Sequence, residues 1–266
     1  MSYYHHLIKS AVVPAYGALT TAWIAATSET DTTIISALNA LETALTTYGL
    51  TAKIKALYPM VGGTAAKHKF NFMDARDLDA AFRLTFNGGW THASTGALPN
   101  GTNAYANSYL TPSTSLSLNN NHISFYSRTQ NYLISGVDIG ANDSGPSNIL
   151  DIEISYGGRY YENNQNSYST AVPAVFTNGL FLNSRIVSGS FKGYRNGTSE
   201  GTISITSTGL SSYPIFLGAR NNAAVAAFYS GKECALASIG NGLNDTEAAN
   251  FYTAVQNFNT TLLRNI

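Results

Sequence analysis

Hydrophobic positions change period twice along the chain. In DTTIISALNALETALTTYGL, Ile34, Ile35, Leu38, Leu41, Leu45 and Tyr48 recur at the i, i+3, i+4, i+7 spacing of a helix face. Asp31 stands where an N-cap would accept the first free amides, and Gly49 where a C′ glycine ends a helix. The pattern predicts an earlier helix around Leu19 to Ala26 and a short one over Thr51 to Leu57, stopping before Pro59. Helices this short are marginal in water by themselves. The apolar stripe therefore needs cover, from the rest of the chain, a second copy or a partner.

Past Pro59 the period falls to two, and short segments are separated by Gly, Asn and Ser clusters. In HISFYSR, Ile123 and Phe125 point one way and Ser124, Tyr126 and Arg128 the other. In LDIEISY, Leu150, Ile152, Ile154 and Tyr156 share one side. Asn196-Gly197 in FKGYRNGTSEGTISI is a strong hairpin signal. Further strands are expected over Phe82 to Phe86, Leu133 to Ile139, Gly179 to Asn183, Pro214 to Gly218 and Ala224 to Tyr229. The C-terminus returns to helix: Asn244-Asp245-Thr246-Glu247 has the form of a capping box, followed by an apolar stripe of Ala248, Phe251, Tyr252, Val255, Phe258 and Leu262. The expected fold is mainly β, a sandwich with a helical N-terminal segment (residues 1–58) and a sandwich domain closed by a C-terminal helix (residues 59–266).

Charge narrows the function classes. Charged residues are only 11% of the chain, well under the usual quarter, and 15 basic residues balance 15 acidic ones. No basic field gathers phosphates, so nucleic acid is not an expected partner. With 17 Tyr and many Asn, a neutral polar surface suits sugars or other proteins. The single cysteine, Cys234, sits in the apolar stretch ECALASIG and reads as a small buried hydrophobe. Ala11 to Ala26 is too weakly apolar, and too broken by Pro14, Tyr16 and Thr residues, to read as a signal peptide. No stretch reaches the ~18 continuous apolar residues of a membrane span.

Four segments carry a resemblance. Tyr194-Arg195-Asn196-Gly197, Leu217-Gly218-Ala219-Arg220, Phe228-Tyr229-Ser230-Gly231 and Leu243-Asn244-Asp245-Thr246-Glu247 follow one another as in the second half of laminin-G-like, concanavalin A-like jelly rolls. That resemblance implies the jelly-roll form of the sandwich and says little about ligand. The stretches KIKALYPMVGGTAAKHKFN and RLTFNGGWTHASTGALPNGTNAYAN resemble bacteriophage virion proteins, head or tail appendages carrying such a domain. This second resemblance implies a non-enzymatic particle component assembled in the host cytoplasm. Its partners would be other virion proteins, copies of itself held through residues 1–58, and a host surface glycan.

Candidate chemistry is sparse. Asp151 and Glu153 in DIEIS are two apart on a strand, hence ~7 Å apart on one face. That spacing is compatible with an inverting glycosidase. Jelly-roll glucanases, however, carry Glu, Asp and Glu at alternate positions, where this chain has Asp151, Glu153 and Ser155. The reading is a solvated or sugar-contacting face, with no catalytic residue. Calcium remains a candidate ligand for Asp138, Asp143 and Asp151, without a dense Asp/Asn/Gly loop to support it. His5, His6, His68, His92 and His122 show no zinc spacing. Binding candidates are Trp90 and His92 in GGWTHASTG, which also read as a loop pinned by a core Trp; Arg159, Tyr160 and Tyr161 in GGRYYENNQN; and Arg220, Asn221 and Asn222 in GARNNAA. Aromatic faces stack on sugar rings while Asn and Arg bond hydroxyls, although the same residues suit a protein interface. A glycan-cleaving enzyme on the same fold and a secreted bacterial lectin or adhesin are the alternatives.

Overall fold

The computed structural model describes residues 16–143, 148–154 and 176–266, and the backbone of 159–164. In chain order the elements begin with α1 (Ala18–Thr27), α2 (Thr32–Thr47), β1 (Ile54–Tyr58), α3 (Ala65–His68), β2 (Thr85–Asn87), β3 (Trp90–Ala93), β4 (Gly96–Pro99) and β5 (Tyr105–Asn107). The middle comprises α4 (Pro112–Ser115), β6 (Asn121–Ser127), β7 (Ile139–Asn142), β8 (Ile149–Glu153), β9 (Arg159–Asn164), β10 (Gly179–Val187), β11 (Ser190–Arg195) and β12 (Thr198–Ser204). The last elements are β13 (Phe216–Leu217), β14 (Arg220–Asn222), β15 (Val225–Ala227), β16 (Cys234–Gly240) and α5 (Asp245–Thr261).

Two sheets form the mainly β sandwich that the alternation predicted. The first runs β12-β11-β10-β6-β16-β4-β3, with β1 also pairing β16. The second runs β15-β14-β7-β13-β5-β2, with β8 and β9 extending from β7. Within the first sheet, alternate residues serve two different cores. Ile123, Phe125, Ala237 and Ile239 face the second sheet and pack with Ile139, Leu150, Ile152 and Leu217. Tyr126, Leu180, Leu182 and Leu236 face the opposite way, onto Trp23, Leu38, Leu41, Leu45, Phe251, Val255 and Phe258 of the helices. The molecule thus has three layers, helices on sheet on sheet.

The helical ends form as their caps dictate. Asp31 accepts the amides of Thr33 and Ile34 at the start of α2, and Asn244 and Glu247 complete a reciprocal capping box on α5. The stripe of α2 packs beside α5 inside this chain's own core, so no partner is needed to account for it. Four local expectations are corrected. Thr51 to Leu57 is not a helix: a single tight turn at Thr51–Lys53 leads into β1, whose backbone is claimed by β16. Phe82 to Phe86 is strand only from Thr85, because Phe82 turns back with φ 60° at the end of a short helical turn. The strand expected over Leu133 to Ile139 begins only at Ile139. GGWTHASTG is a strand and tight turn rather than a loop, since β3 pairs β4. The Asn196-Gly197 turn is as expected, with both residues at positive φ, 49° and 75°.

Buried polar groups pin the layers together. Arg264 donates to the carbonyls of Pro59, Met60 and Ala235, locking the C-terminus against the chain's entry to the sandwich. Between the first sheet and α5, His122 donates from Nδ1 to the carbonyl of Asn241 and accepts at Nε2 from Ser238, which in turn lies 2.6 Å from Ser124. Burial holds the His122 imidazole down at about 4. The unfolded chain binds this proton from about pH 6.5 downward and the folded chain does not until about pH 4. The His122 contribution to stability is therefore full above pH 6.5 and drains away as pH falls toward 4. Urea melts between pH 7 and 4.5 should show a steeper acid loss in the native protein than in His122→Asn; equal slopes would contradict this assignment. Phe251→Ala, which empties the joint between α5 and the sheet, should cost about 3–5 kcal/mol in the same assay.

Candidate functional site

Residues that alternate with the inner core of the second sheet face outward, away from the first sheet. On β5, Tyr105 and Asn107 flank the buried Ala106, and on β13 Phe216 precedes the buried Leu217. Register places Phe216 and Thr85 opposite Asn107, and Asn87 opposite Tyr105. One outward patch thus gathers Thr85, Asn87, Tyr105, Asn107 and Phe216. Tyr105 and Phe216 stack with ring centroids 4.6 Å apart and planes 25° apart. Phe216 is buried and Tyr105 half-buried, so Phe216 backs a ring that Tyr105 presents.

Tyr109, Tyr213, Pro214, Asn221 and Ala224 complete a depression of about 350 Å³ around this pair. Its shape is fixed by local bonds. Tyr109 sits at φ 57° with its amide donating to Asn107 Oδ1, and its hydroxyl lies 2.9 Å from Thr85 Oγ1. Asn221 donates from Nδ2 to the carbonyl of Pro214. Its Oδ1 is buried and accepts no hydrogen bond among the described residues. Asn221 stands opposite the inner-core Ala141, so its side chain belongs to the floor of the sheet and not to the open space. Every lining side chain is neutral.

A second depression, of about 390 Å³, includes Arg220, the chain neighbour of Asn221 on β14. It is lined by Ser135, Gly136, Val137, Glu153, Arg220, Phe228 and Tyr229. Arg220 and Asp151 both stand opposite Gly140, and the missing side chain there lets the guanidinium meet the carboxylate. Arg220 Nε and Nη2 each lie 2.5 Å from Asp151 Oδ2, while Oδ1 accepts no hydrogen bond among the described residues. Burial pushes the Asp151 carboxyl up to about 7, against the opposing pull of Arg220. The guanidinium also lies 4.8 Å from the ring centre of Phe228.

Asp151 is therefore not on the solvated face that the alternation implied. It points away from the inner core, but its side chain is fully buried beneath Arg220, because β8 lies between β7 and β9 and not at an exposed edge. Glu153, on the same side, borders the second depression. The three aspartates do not converge. Asp138 accepts from Ser230 Oγ and the amide of Ile154, while Asp143 accepts from Ser212 N and Asn148 Nδ2. Among the described residues no three His, Cys, Asp or Glu side chains gather as metal ligands.

The binding candidates divide between the two depressions and the sheet edge. Asn221 lines the first depression and Arg220 the second, while Asn222 pairs Val225 in the hairpin and lines neither. Arg159, Tyr160 and Tyr161 lie on β9, a strand rather than a loop, and their side chains are outside the described residues. Trp90 and His92 pack with Phe86, and His92 Nδ1 lies 2.9 Å from His68 Nδ1. The Trp90 indole donates to the carbonyl of Asn87 and reaches that of Tyr105, which places it behind the first depression as a brace. Sequence reasoning did not single out Tyr105, Asn107, Tyr213 or Phe216. The polar-small-polar alternation of Tyr105-Ala106-Asn107 was the available signal.

The sequence matches no family model and no curated protein. Solved structures show a weak likeness. Domain 4 of AbnA, a GH43 extracellular arabinanase from Geobacillus stearothermophilus in complex with arabinotriose, is 15% identical with a TM-score of 0.44, over 75% of this chain and 98% of that one. The CBM40 of an IT-sialidase from Ruminococcus gnavus is 14% identical with a TM-score of 0.37, over 50% and 82%. The NanB sialidase from Streptococcus pneumoniae is 13% identical with a TM-score of 0.40, over 62% and 27%. Likeness this low says nothing about what this chain binds.

The Arg220–Asp151 pair makes a direct prediction. Removing one partner of a buried ion pair leaves the other uncompensated, so Arg220→Ala should cost about 3–5 kcal/mol in a denaturant melt at pH 8. The double variant Arg220→Met/Asp151→Leu should recover most of that loss; an unrecovered double variant would contradict the pairing.

Proposed function

We propose that the protein is a non-catalytic carbohydrate-binding β-sandwich that holds a neutral sugar ring in the first depression. The observation that carries the reading is the Tyr105 ring, backed by Phe216 and flanked by the Asn87 and Asn107 amides on a lining without charge. A sugar ring offers an apolar face to Tyr105 and hydroxyls to the amides of Asn87 and Asn107, and it meets no charge on the lining. Hydrolysis has no comparable support, since Asp151 is enclosed and held by Arg220.

The particle setting belongs to the same proposal and rests on the sequence resemblance of residues 53–71 and 83–107 to phage virion proteins. Weak contacts of single sandwiches with a host surface glycan would gain avidity when many copies are displayed together on a head or tail. Other virion proteins, and copies of this chain, would then be its standing partners.

Two measurements test these halves separately. An array of neutral glycans should bind the protein, and Tyr105→Ala should lower affinity at least about tenfold while costing only about 1 kcal/mol in the melt, so that the variant stays folded. Failure of the native protein to bind any glycan would end the carbohydrate reading. Mass spectrometry of purified particles from the source culture should find the chain at stoichiometric copy number, and its absence would end the virion reading alone.

A further inference from the structure

We infer that the second depression extends the first, so that the ligand is a chain of sugar rings crossing the β14–β15 hairpin and not a terminal monosaccharide. The inference rests on the carbohydrate reading of the first depression.

Three observations carry it. First, the depressions share a wall. Arg220 lines the second and its chain neighbour Asn221 borders the first from the floor, while Ala224 of the β14–β15 turn lines the first and Phe228, just past β15, lines the second; Ala223 and Ala224 turn the hairpin at φ 52° and 71°. These residues and Val225-Ala226-Ala227 are small, so the hairpin carries no bulky side chain to stand between the two spaces. Second, both depressions open on the same side. Glu153 follows the inward Ile152 on β8, just as Tyr105 and Asn107 flank the inward Ala106 on β5, so both sets face away from the first sheet.

Third, Phe228 is built as a presented ring. It is 56% exposed although large and apolar, and it is held at φ 55°, a conformation that costs a bulky residue of order 1–3 kcal/mol. The surroundings over-determine that position. The carbonyl of Phe228 accepts the Val137 amide, and the Arg220 guanidinium backs the ring while Asp151 fixes the guanidinium. An exposed ring with a charged group anchored behind it offers one free face to a sugar, as Tyr105 does in the neighbouring space. Glu153 and Ser135 on the same lining accept hydroxyl hydrogens.

The experiment is calorimetric titration of the full chain with neutral oligosaccharides of one to eight residues from glucan, mannan, galactan, xylan and arabinan. The extended site predicts that affinity climbs at least about tenfold between the shortest bound member of a series and the longer ones. Phe228→Ala should abolish that climb while leaving the affinity for the shortest member within about twofold. Phe228→Asn, whose side chain tolerates the left-handed backbone, should do the same and excludes a folding artefact. Tyr105→Ala should weaken every member of the series. Affinity independent of length, or a climb that survives both Phe228 variants, would overturn the extension and leave the first depression standing. No binding of any oligosaccharide by the native chain would overturn both.

Discussion

The structure depends on a sheet that is dry on both faces. All seven residues of the central strand Asn121–Ser127 are buried, as are all seven of its neighbour Cys234–Gly240. One side of these strands must meet the helices and the other must meet the second sheet. Neither layer can be removed without exposing apolar strand surface. The terminal helices are thus part of the same packing problem as the sandwich, and the capped ends of α2 and α5 position their stripes for it.

The second sheet carries the opposite burden. Its inner residues close the sandwich core, which leaves its outer side available for polar and aromatic residues set by strand alternation. Gly140 is the hinge of that arrangement: one absent side chain admits the Arg220–Asp151 pair, and that pair in turn backs Phe228. Rigid support from below is what allows an aromatic ring to remain exposed in a fixed pose, at low entropic cost on binding. The first depression is neutral throughout, in keeping with a chain whose charges balance.

Much of the fold was legible because it follows from local periodicity. The Asp31 cap, the Asn244–Glu247 box and the Asn196-Gly197 turn are short-range devices that act the same way in any context. The errors came where tertiary pairing overrides local preference. Thr51 to Leu57 reads as helix until β16 claims its backbone, and Asp151 reads as solvated until Arg220, far along the chain, covers it. The site was half legible for the same reason. Arg220 and Asn221 could be found in one loop-like motif, whereas Tyr105, Asn107 and Phe216 come together only through the register of β5 and β13.

The account stands on the claim that sugar meets this outer face of the second sheet. Chemical-shift mapping during titration with a bound neutral oligosaccharide tests it most directly. The structure predicts perturbations confined to Tyr105, Asn107, Tyr213 and Asn221, continuing to Arg220 and Phe228 for longer chains. Shifts centred instead on the helical layer, or on the edge hairpin Thr198–Ser204, would contradict it.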